Sequence, residues 1–594
     1  MRESWHAYRV LMAIGFRAAP RQATLQLLSG MVFQLEGPAM AFGSKLLVDA
    51  AIAQELRLGL IASAALALTI GVSLVAVFYY VDWLFTVADR SSALATRQLI
   101  QLLGGTHGLA HHERPDYLDQ VQRIREEHRS LAGMVNATAG LLRVGVALAA
   151  TGILLARVHP VLLLLPTFGV LSFWFGKKSR DFEIAAQEAT SEPERLRRHL
   201  FEVGTAASQG KELRMSGLTD VLLDRHHQIS DIVLRTRERA TWLGALLKSA
   251  DGLVSGLAFA GAIALVLVLA VTDRATPGDV VLTVGLAAQM NNVVFTAIAY
   301  GNQLLWVLKV AKRFLWLEEY ARSASRMVVD PLPVPERLAG GIEMRDVTFH
   351  YPESERPVLD GLSLYLPAGK VIALVGENGA GKTTLIKLLC DFYQPGSGQI
   401  LIDGIDLARI QTNAWRSRLS AAFQDFSKFE FLTRETVGVA DLSRIDDRRA
   451  VITALERAGA SDLLTTLPKG LDTQLGSAWE NGVDLSGGQW QKLALGRGLM
   501  RNDPLLVVFD EPTAALDAPT EHALFERFAE AAHAGHNRGA ITLLVSHRFS
   551  TVRMADLIVV LAGGKIQECG SHEELMSLGG LYAELYELQS RAYR

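Results

Sequence analysis

Apolar residues are concentrated in the first half of the chain, where they form six long runs separated by polar segments. Most of these runs reach the roughly 20 residues with which an α-helix crosses about 30 Å of hydrocarbon. Six such runs folded as core helices of a soluble protein would leave no polar outer face, so the pattern predicts six transmembrane helices. The predicted crossings are 25–52, 58–84, 137–156, 161–175, 245–271 and 280–305.

The segments between the crossings predict the topology. Three connections are very short, whereas the N-terminal segment and the two segments that follow crossings two and four are rich in Arg and Lys. The positive-inside rule places these basic segments, and therefore both termini, in the cytoplasm of a cell whose inner or plasma membrane holds the protein. Apolar residues three and four apart in 117–125 and 202–222 predict that the crossings continue as helices into the cytoplasm. The N-terminal segment is too polar for a cleavable signal peptide.

The second half of the chain has a different pattern. Prolines alternate with other residues at 331–335, which predicts an extended linker over 323–340. Beyond it, short β-rich runs alternate with helical stretches, as in an α/β domain. The predicted organisation is an all-α transmembrane domain at 1–322, the linker, and an α/β domain at 341–594.

The sequence Gly376-Glu-Asn-Gly-Ala-Gly-Lys-Thr-Thr384 matches the phosphate-binding loop in full, between a strand-like run and a helical run. Its glycines let backbone N–H groups converge on phosphate oxygens at a helix N-terminus. Lys382 would face the β- and γ-phosphates, and the Thr383 hydroxyl would bind Mg²⁺. The predicted ATP-binding residues here are Gly376, Asn378, Gly379, Gly381, Lys382, Thr383 and Thr384.

A second apolar strand, 505–509, ends in Asp510 and Glu511. Ligands bind at the carboxyl ends of strands in open α/β sheets. We therefore expect Asp510 to hold Mg²⁺ through water and Glu511 to act as general base for the attacking water.

A third motif, Leu485-Ser486-Gly487-Gly488-Gln489, precedes a predicted helix. It resembles the signature motif of ATP-binding cassette (ABC) proteins. Other residues match that family's motifs in the same order: Tyr351 resembles the adenine-stacking aromatic, Gln424 the glutamine that links metal and water to the membrane domain, Asp517 the D-loop aspartate, and His547 the switch histidine. With six crossings, the whole chain resembles an ABC exporter half-transporter, an all-α six-helix transmembrane domain followed by an α/β P-loop ATPase domain.

This resemblance implies a mechanism. In the family, the signature motif of one subunit caps the γ-phosphate of the ATP that is bound to the other subunit. The resemblance therefore implies this role for Ser486, Gly487, Gly488 and Gln489, and it implies that the working unit is a homodimer or a heterodimer of half-transporters. Glu511, His547 and Gln424 would be catalytic, while Thr383, Gln424 and Asp510 would bind Mg²⁺. Short inner-loop helices near 114–120 and 203–213 would sit in grooves on the nucleotide domains. The implied function is ATP-driven export of an amphipathic solute (a drug, natural product, peptide or lipid) by alternating access.

Three other functions stay open. The same fold could import a solute such as a siderophore, or serve as an ATP-gated channel or regulatory membrane ATPase. A soluble cassette ATPase of translation or DNA repair is disfavoured by the six crossings. Because Cys390 is the first cysteine, no cysteine peptidase precedes the crossings, which excludes a leader-cleaving peptide exporter.

Several residues depart from the family pattern. The segment 476–484 is longer than usual, Trp490 replaces a basic residue, and Gly496 and Gly498 stand where alanine is usual. Because each glycine costs up to about 1 kcal/mol in a helix interior, we expect close packing at both positions.

Intramembrane polar residues are the best pointer to a substrate site. We hypothesise that Arg143 and the cluster Gln289, Asn291 and Asn292 face a central cavity; helix–helix hydrogen bonding is the alternative. Lys45 lies four residues from Asp49, which predicts an intrahelical pair. The inner-segment histidines, among them His111 and His112, have no completing carboxylate or cysteine and favour a solvated surface over a metal site.

The amino-acid composition excludes some classes of partner and of fold. The net charge of −3 over 594 residues gives no basic field for nucleic acid. Two cysteines exclude a disulfide scaffold. The mean hydropathy of +0.21 is the average of an apolar half and an ordinary soluble half. Ala-, Arg- and Gly-rich usage indicates a bacterium with a GC-rich genome.

Overall fold

The computed structural model describes residues 2–206, 209–324, 328, 330–352, 354–511, 539–546 and 548–592. These residues form two compact units. The first comprises Met1–Gly105 and Gln120–Tyr320, and the second comprises Thr106–Asp119 and Ala321–Arg594, within the described ranges. The inner-loop segment Thr106–Asp119 therefore packs with the C-terminal α/β residues rather than with the helices that flank it.

The first unit is built from helices. Their bounds are α1 Arg2–Ala18, α2 Pro20–Phe33, α3 Glu36–Ile52, α4 Leu56–Gly105, α5 Pro115–Glu127, α6 Met134–Val158, α7 Leu165–Ala189, α8 Ser191–Thr205, α9 Gly210–Ser216, α10 Thr219–Val271 and α11 Pro277–Ala324. One apolar core joins α1, α4, α6 and α11, and another joins α3, α6, α10 and α11.

Four helical stretches in the described residues are long and apolar enough to cross a membrane. They are Leu56–Gly105, Pro115–Val158, Thr219–Val271 and Pro277–Ala324. They correspond to predicted crossings two, three, five and six. At 1.5 Å per residue the 53 residues of α10 span about 80 Å, which is more than twice the roughly 30 Å thickness of bilayer hydrocarbon.

The first and fourth predicted crossings are interrupted. The run predicted as one helix over 25–52 is two helices, because α2 ends at Phe33 and α3 begins at Glu36. Pro38 has no N–H with which to continue the hydrogen-bond ladder, and it is tolerated only in a first helical turn. The fourth run begins as a 3-10 helix, Pro160–Leu164, and continues as α7. Six crossings therefore stay a prediction.

The segments predicted to continue the crossings are helical where the structure describes them, although the second is divided into three helices. The pattern at 117–125 lies in α5. The pattern over 202–222 is divided among α8, α9 and α10, and α9 ends at Gly217, whose φ of 62° is left-handed. Glycine is the residue that adopts this conformation without steric cost, so it ends the helix.

The predicted pairing of Lys45 with Asp49 is wrong. Lys45 forms its ion pair with Asp279 at the start of α11. Asp49 instead accepts hydrogen bonds from the Thr276 hydroxyl and the Gly278 N–H, both at 2.9 Å. The Asp49 carboxylate thus satisfies a backbone N–H at the start of α11 that has no partner within the helix. This interaction is more favourable than an exposed ion pair between Lys45 and Asp49 along α3.

The second unit contains two sheets. Its strands are β1 Gly341–Phe349, β2 Leu359–Pro367, β3 Val371–Gly376, β4 Ser397–Ile402, β5 Ile405–Asp406, β6 Leu419–Ala422, β7 Leu506–Asp510, β8 Ile541–Val545, β9 Leu557–Ala562 and β10 Lys565–Gly570. An antiparallel sheet has the order β2-β1-β4-β5. The other sheet has the order β10-β9-β3-β8-β7-β6 and is parallel except for β10.

Short helices cover these sheets. They are α12 Lys382–Leu389, α13 Thr412–Arg416, α14 Thr433–Gly438, α15 Arg448–Arg457, α16 Ser461–Thr466, α17 Gly487–Gly498, α18 Phe549–Val552, α19 His572–Leu578 and α20 Leu581–Ala592. One core lies between the sheets and α12, and a second joins α14 to α17 with the edge of the parallel sheet. The carboxyl ends of β3 and β7 thus lie at one edge, where the predicted site residues follow.

Candidate functional site

The phosphate-loop pattern lies between β3 and α12, as predicted. Gly376 ends the strand, and a Cβ there would lie 2.2 Å from the Leu561 carbonyl oxygen. Gly381 caps α12 with a φ of 103°, and a Cβ there would meet the Leu359 side chain at 2.7 Å. Only glycine fits both positions, so the loop can turn tightly and direct the N-terminus of α12 outward.

Lys382 is buried at the first position of α12. Its Nζ donates hydrogen bonds to the carbonyl oxygens of Gly376, at 2.8 Å, and Glu377, at 3.0 Å. Burial lowers the pKa of Lys382, and the charges of Glu511 and Asp510 oppose that shift. The ammonium group is thus held over the loop, close to the carboxylates at the end of β7.

Asp510 ends β7 and is buried. Burial raises the pKa of Asp510, as do the nearby charges of Glu511 and Asp425, whereas a hydrogen bond with Thr383 lowers it. Asp510 therefore has two neighbouring carboxylates, those of Glu511 and Asp425, and one hydroxyl partner, that of Thr383. Asp425 was not among the predicted residues, and its position next to Gln424 was the only sequence signal that pointed to it.

Glu511 follows Asp510 in a left-handed backbone conformation, with a φ of 47°. This conformation is uncommon for a residue other than glycine, and such residues cluster at functional sites. Its N–H donates to the Val545 carbonyl oxygen at 3.1 Å, and its Oε2 accepts a hydrogen bond from Gln424 Nε2 at 2.9 Å. The predicted general base and the predicted glutamine are therefore in direct contact.

Tyr351 lies beside α12. Its hydroxyl is 2.9 Å from the Thr384 hydroxyl, and its ring packs edge-on against Phe349 and Tyr393 with centroids 5.1 and 5.5 Å away. The structure thus brings together Tyr351, Gln424, Asp510, Glu511 and the phosphate loop, although they are distant in sequence.

The signature residues form the N-terminus of α17. Ser486 Oγ accepts from the Gln489 N–H at 3.3 Å, while Gln489 Oε1 accepts from the Ser486 N–H at 2.9 Å, which is a capping box. Ser486 and Gly487 are exposed. Among the described residues, the side-chain hydrogen bonds of Ser486 and Gln489 join them to each other, which leaves this helix end on the surface.

The departures from the family pattern have structural reasons. Trp490 is buried in the core that joins α14 to α17. Close packing at the two glycines is confirmed: a Cβ on Gly496 would lie 2.9 Å from Leu455 Cδ2, and one on Gly498 would lie 3.0 Å from the Ala421 carbonyl oxygen. The long segment before the signature folds back on itself, with the Gly476 N–H donating to the Val483 carbonyl oxygen at 2.9 Å.

Two predicted site residues, Asp517 and His547, lie outside the described residues. His111 differs from the expected solvated surface, because it is buried with its ring 5.0 Å from that of Tyr117. Burial and the neighbouring His112 lower the pKa of His111 to about 4.

The donor set at the end of β7 fits Mg²⁺. This ion binds one or two protein oxygen groups together with nucleotide phosphates and water. Thr383 and Asp510 are hydrogen-bonded to each other, and a cation between them would offset the repulsion among Asp510, Glu511 and Asp425.

A separate cavity of about 730 Å³ lies in the first unit. Arg143, Gln289 and Asn292 line it together with Glu36 and Tyr300, and Arg143 also donates a hydrogen bond to the Tyr300 hydroxyl, as in the alternative of helix–helix hydrogen bonding. The side chain of Asn291 lies outside the described ones. The Arg143 guanidinium lies over the rings of Tyr80 and Tyr300, at 4.6 and 5.0 Å from their centroids.

Comparisons with known proteins agree with this geometry. Residues 359–514 match the family model described as ABC transporter. A lipid A-core flippase of Aromatoleum aromaticum, described as ATP-dependent, is 42% identical over 256 residues, which cover 43% of this chain and 41% of that protein. The flippase of Burkholderia orbicola is 33% identical over 383 residues, covering 62% of this chain and 59% of that protein. The chain therefore matches less than two thirds of the length of these curated relatives.

A solved structure matches over nearly the whole chain. It is a bacterial Atm1-family ABC exporter with ATP bound, and it is 25% identical with a TM-score of 0.74, covering 97% of this chain and 98% of the other. The match includes both the helical unit and the α/β unit. The chain therefore carries an ABC transporter domain in its C-terminal half, fused to an N-terminal helical domain, and its fold is that of an Atm1-family ABC exporter.

Proposed function

We propose that two copies of this chain form an exporter that hydrolyses ATP to move an amphipathic solute out of the cytoplasm. The contact of Gln424 with Glu511, beside Asp510, Thr383 and Lys382, carries this proposal. This cluster supports the proposal because its groups could serve as a base, as metal-binding oxygens and as a phosphate-binding cation, on a chain that also has membrane-length helices.

Each group has a distinct task in the proposed hydrolysis. Lys382 exchanges its hydrogen bonds with loop carbonyls for bonds with the β- and γ-phosphates. Thr383, Asp510 and Gln424 would hold Mg²⁺, which neutralises phosphate charge when bound. Glu511 accepts the proton of the attacking water, and the hydrogen bond from Gln424 fixes the orientation of its carboxylate. His547 would contact the γ-phosphate.

The exposed signature end of α17 supports a dimer. In the part of the unit that the structure describes, the side chain of Ser486 serves the helix cap, and the helix N-terminus offers backbone N–H groups to an anion. In the proposed dimer this end completes the ATP site of the other subunit. Because each chain carries Glu511 and the signature, both sites of a homodimer would hydrolyse ATP.

The cavity in the first unit is the proposed solute site. Arg143 is 7% exposed, and its Nε and Gln289 Oε1 have no hydrogen-bond partner among the described residues. Unsatisfied buried polar atoms are costly, so a solute with polar groups would be stabilised there. The curated relatives are named lipid A-core flippases, which favours a lipid-like amphipath. The proposed location is the bacterial inner membrane, with both termini in the cytoplasm.

The test is ATPase activity in proteoliposomes, measured against a panel of drugs, peptides and lipids. We expect some amphipaths to stimulate hydrolysis, and Arg143→Gln to raise the concentration needed for half-maximal stimulation. Val161→Ala, an exposed apolar residue outside the cavity, is the control. Equal loss of basal and stimulated ATPase in Arg143→Gln would refute the cavity assignment.

Transport direction needs a second measurement. ATP-dependent accumulation of the stimulating solute in inverted vesicles would support export, and accumulation in right-side-out vesicles would support the importer alternative. Flux that ceases when the concentrations become equal would indicate a channel.

A further inference from the structure

The inner-loop segment 106–119 belongs to the second unit and makes specific contacts there. The Leu109 N–H donates to the Phe392 carbonyl oxygen at 3.1 Å, and Leu109 packs against the core beneath α12. Further along, the Glu113 carboxylate accepts a hydrogen bond from the Tyr393 hydroxyl. This segment is therefore held on the nucleotide domain by both backbone and side-chain contacts.

Glu113 also contacts a cation on α12. Its Oε1 lies 3.9 Å from Lys387 Nζ, and the two side chains are only 31% and 28% exposed. Partial burial strengthens such a pair relative to one on an open surface. Lys387 lies one and a half turns after Lys382, so the pair joins the inner loop to the helix that begins at the phosphate loop.

Lys387 in turn contacts Tyr351. Its Nζ is 5.2 Å from the centroid of the Tyr351 ring and 5.7 Å from that of Tyr393, and it donates to the Tyr351 hydroxyl at 3.4 Å. A cation at these distances is attracted by the negative face of an aromatic ring. The two tyrosines also pack edge-on.

Tyr393 reinforces this arrangement. Burial and the Glu113 carboxylate both raise the pKa of Tyr393 well above its usual value, so its hydroxyl stays protonated and donates to Glu113. Lys387 and Tyr393 both contact the Tyr351 ring. Both of these residues also contact the carboxylate of Glu113 in the inner loop.

We propose that Glu113 and Lys387 are positioning residues for nucleotide binding: they orient Tyr351 against the adenine base and so link the seating of the inner loop to the affinity for ATP. This inference rests on the proposed function and on the expectation, from the family resemblance, that Tyr351 stacks on adenine. The linkage between ATP binding and the packing of segment 106–119 on the nucleotide domain is reciprocal. If the packed segment strengthens ATP binding, bound ATP stabilises the packed segment by the same free energy.

The test uses the full-length protein in nanodiscs and two probes. ATP contacts the whole site, whereas inorganic tripolyphosphate contacts only the phosphate loop. The variants are Glu113→Gln and Lys387→Met, with Lys387→Arg as the conservative change. Lys370→Met is the matched control, because Lys370 forms an ion pair with Asp556, at 3.3 Å, elsewhere in the unit.

We expect Glu113→Gln and Lys387→Met to raise the dissociation constant of ATP about threefold to tenfold. The dissociation constant of tripolyphosphate is expected to change less than about twofold, because the phosphate loop makes its contacts without Tyr351. Lys387→Arg is expected to restore ATP affinity and Lys370→Met to leave it unchanged. An equal rise in the dissociation constants of ATP and tripolyphosphate would show that the variants only distort α12. An unchanged dissociation constant of ATP would show that Glu113 and Lys387 do not affect nucleotide binding. Either result overturns the proposal.

Tyr351→Ala separates this proposal from the assignment on which it rests. If Tyr351→Ala leaves ATP affinity unchanged, the adenine contact itself is wrong. If Tyr351→Ala weakens ATP but Lys387→Met does not, only the positioning role fails. In the Tyr351→Ala background, Lys387→Met is expected to add no further loss, since contacting residues are not additive.

Discussion

A methyl group added at Gly498 is expected to destabilise the nucleotide domain, whereas the same change at Gly496 is expected to be nearly neutral. At Gly498 the new Cβ would lie 3.0 Å from the Ala421 carbonyl oxygen and 3.2 Å from Ala422 Cβ. Both neighbours belong to β6, whose backbone is paired with β7. A paired strand cannot move away without loss of its hydrogen bonds, so the cost is that of overpacking, about 1–3 kcal/mol.

At Gly496 the new Cβ would meet Leu455 Cδ2 at 2.9 Å, but the next atoms of Leu455 are at 3.7 Å or more. A small rotation of the leucine side chain relieves this contact. Alanine also gains up to about 1 kcal/mol of helix propensity over glycine, which offsets the remaining strain.

Thermal unfolding of the full-length protein in detergent, followed by tryptophan fluorescence, measures both effects. We expect Gly498→Ala to lower the midpoint of the nucleotide-domain transition by about 2–12 °C, at about 2–4 °C per kcal/mol for a domain of this size. Gly496→Ala is expected to shift it by less than about 2 °C. Equal shifts for the two variants would refute the argument that the mobility of the neighbouring atoms decides the cost.

Three further predictions concern charged groups. Asp510→Asn is expected to raise the unfolding midpoint of the nucleotide-free protein, because it removes a buried charge near Glu511 and Asp425, while it reduces ATPase activity. His111 has a pKa of about 4 in the fold, below the ordinary value near 6.5, so the stability it confers is present above pH 6.5 and is lost as the pH falls toward 4; His111→Leu is expected to flatten that part of the stability–pH profile. A double-mutant cycle of Lys45→Met and Asp279→Asn is expected to give a coupling energy of about 1–3 kcal/mol, whereas the cycle of Lys45→Met and Asp49→Asn is expected to give a smaller one, because Asp49 is connected to this ion pair, among the described residues, only through the Thr276 hydroxyl.

Motifs that are contiguous in sequence were predictable, because their chemistry depends on local backbone geometry. The phosphate loop is one uninterrupted segment between a strand and a helix, and Asp510 and Glu511 directly end a strand. The apolar runs likewise predicted the long helices α4, α6, α10 and α11, since length and composition decide membrane crossing.

Contacts between distant segments were not predictable from periodicity. The helix rule for residues four apart gave Lys45 the wrong partner, because Asp279 is 234 positions away. The contacts of Glu113 with Tyr393 join residues 280 positions apart. Arg143 was recognisable as an intramembrane charge, but its packing against Tyr80 and Tyr300 depends on how α4, α6 and α11 meet.

The catalytic role of Glu511 is tested by ATP hydrolysis by the Glu511→Gln variant of the full-length protein in proteoliposomes. The substitution keeps the shape and the contact with Gln424 but removes the base. We expect kcat to fall by about two to four orders of magnitude while ATP still binds. The control is Glu343→Gln, at a partly exposed residue of β1 that pairs with Arg345, and this variant is expected to hydrolyse ATP like the unmodified protein. Hydrolysis by Glu511→Gln at the rate of the unmodified protein would contradict the assignment of the catalytic site.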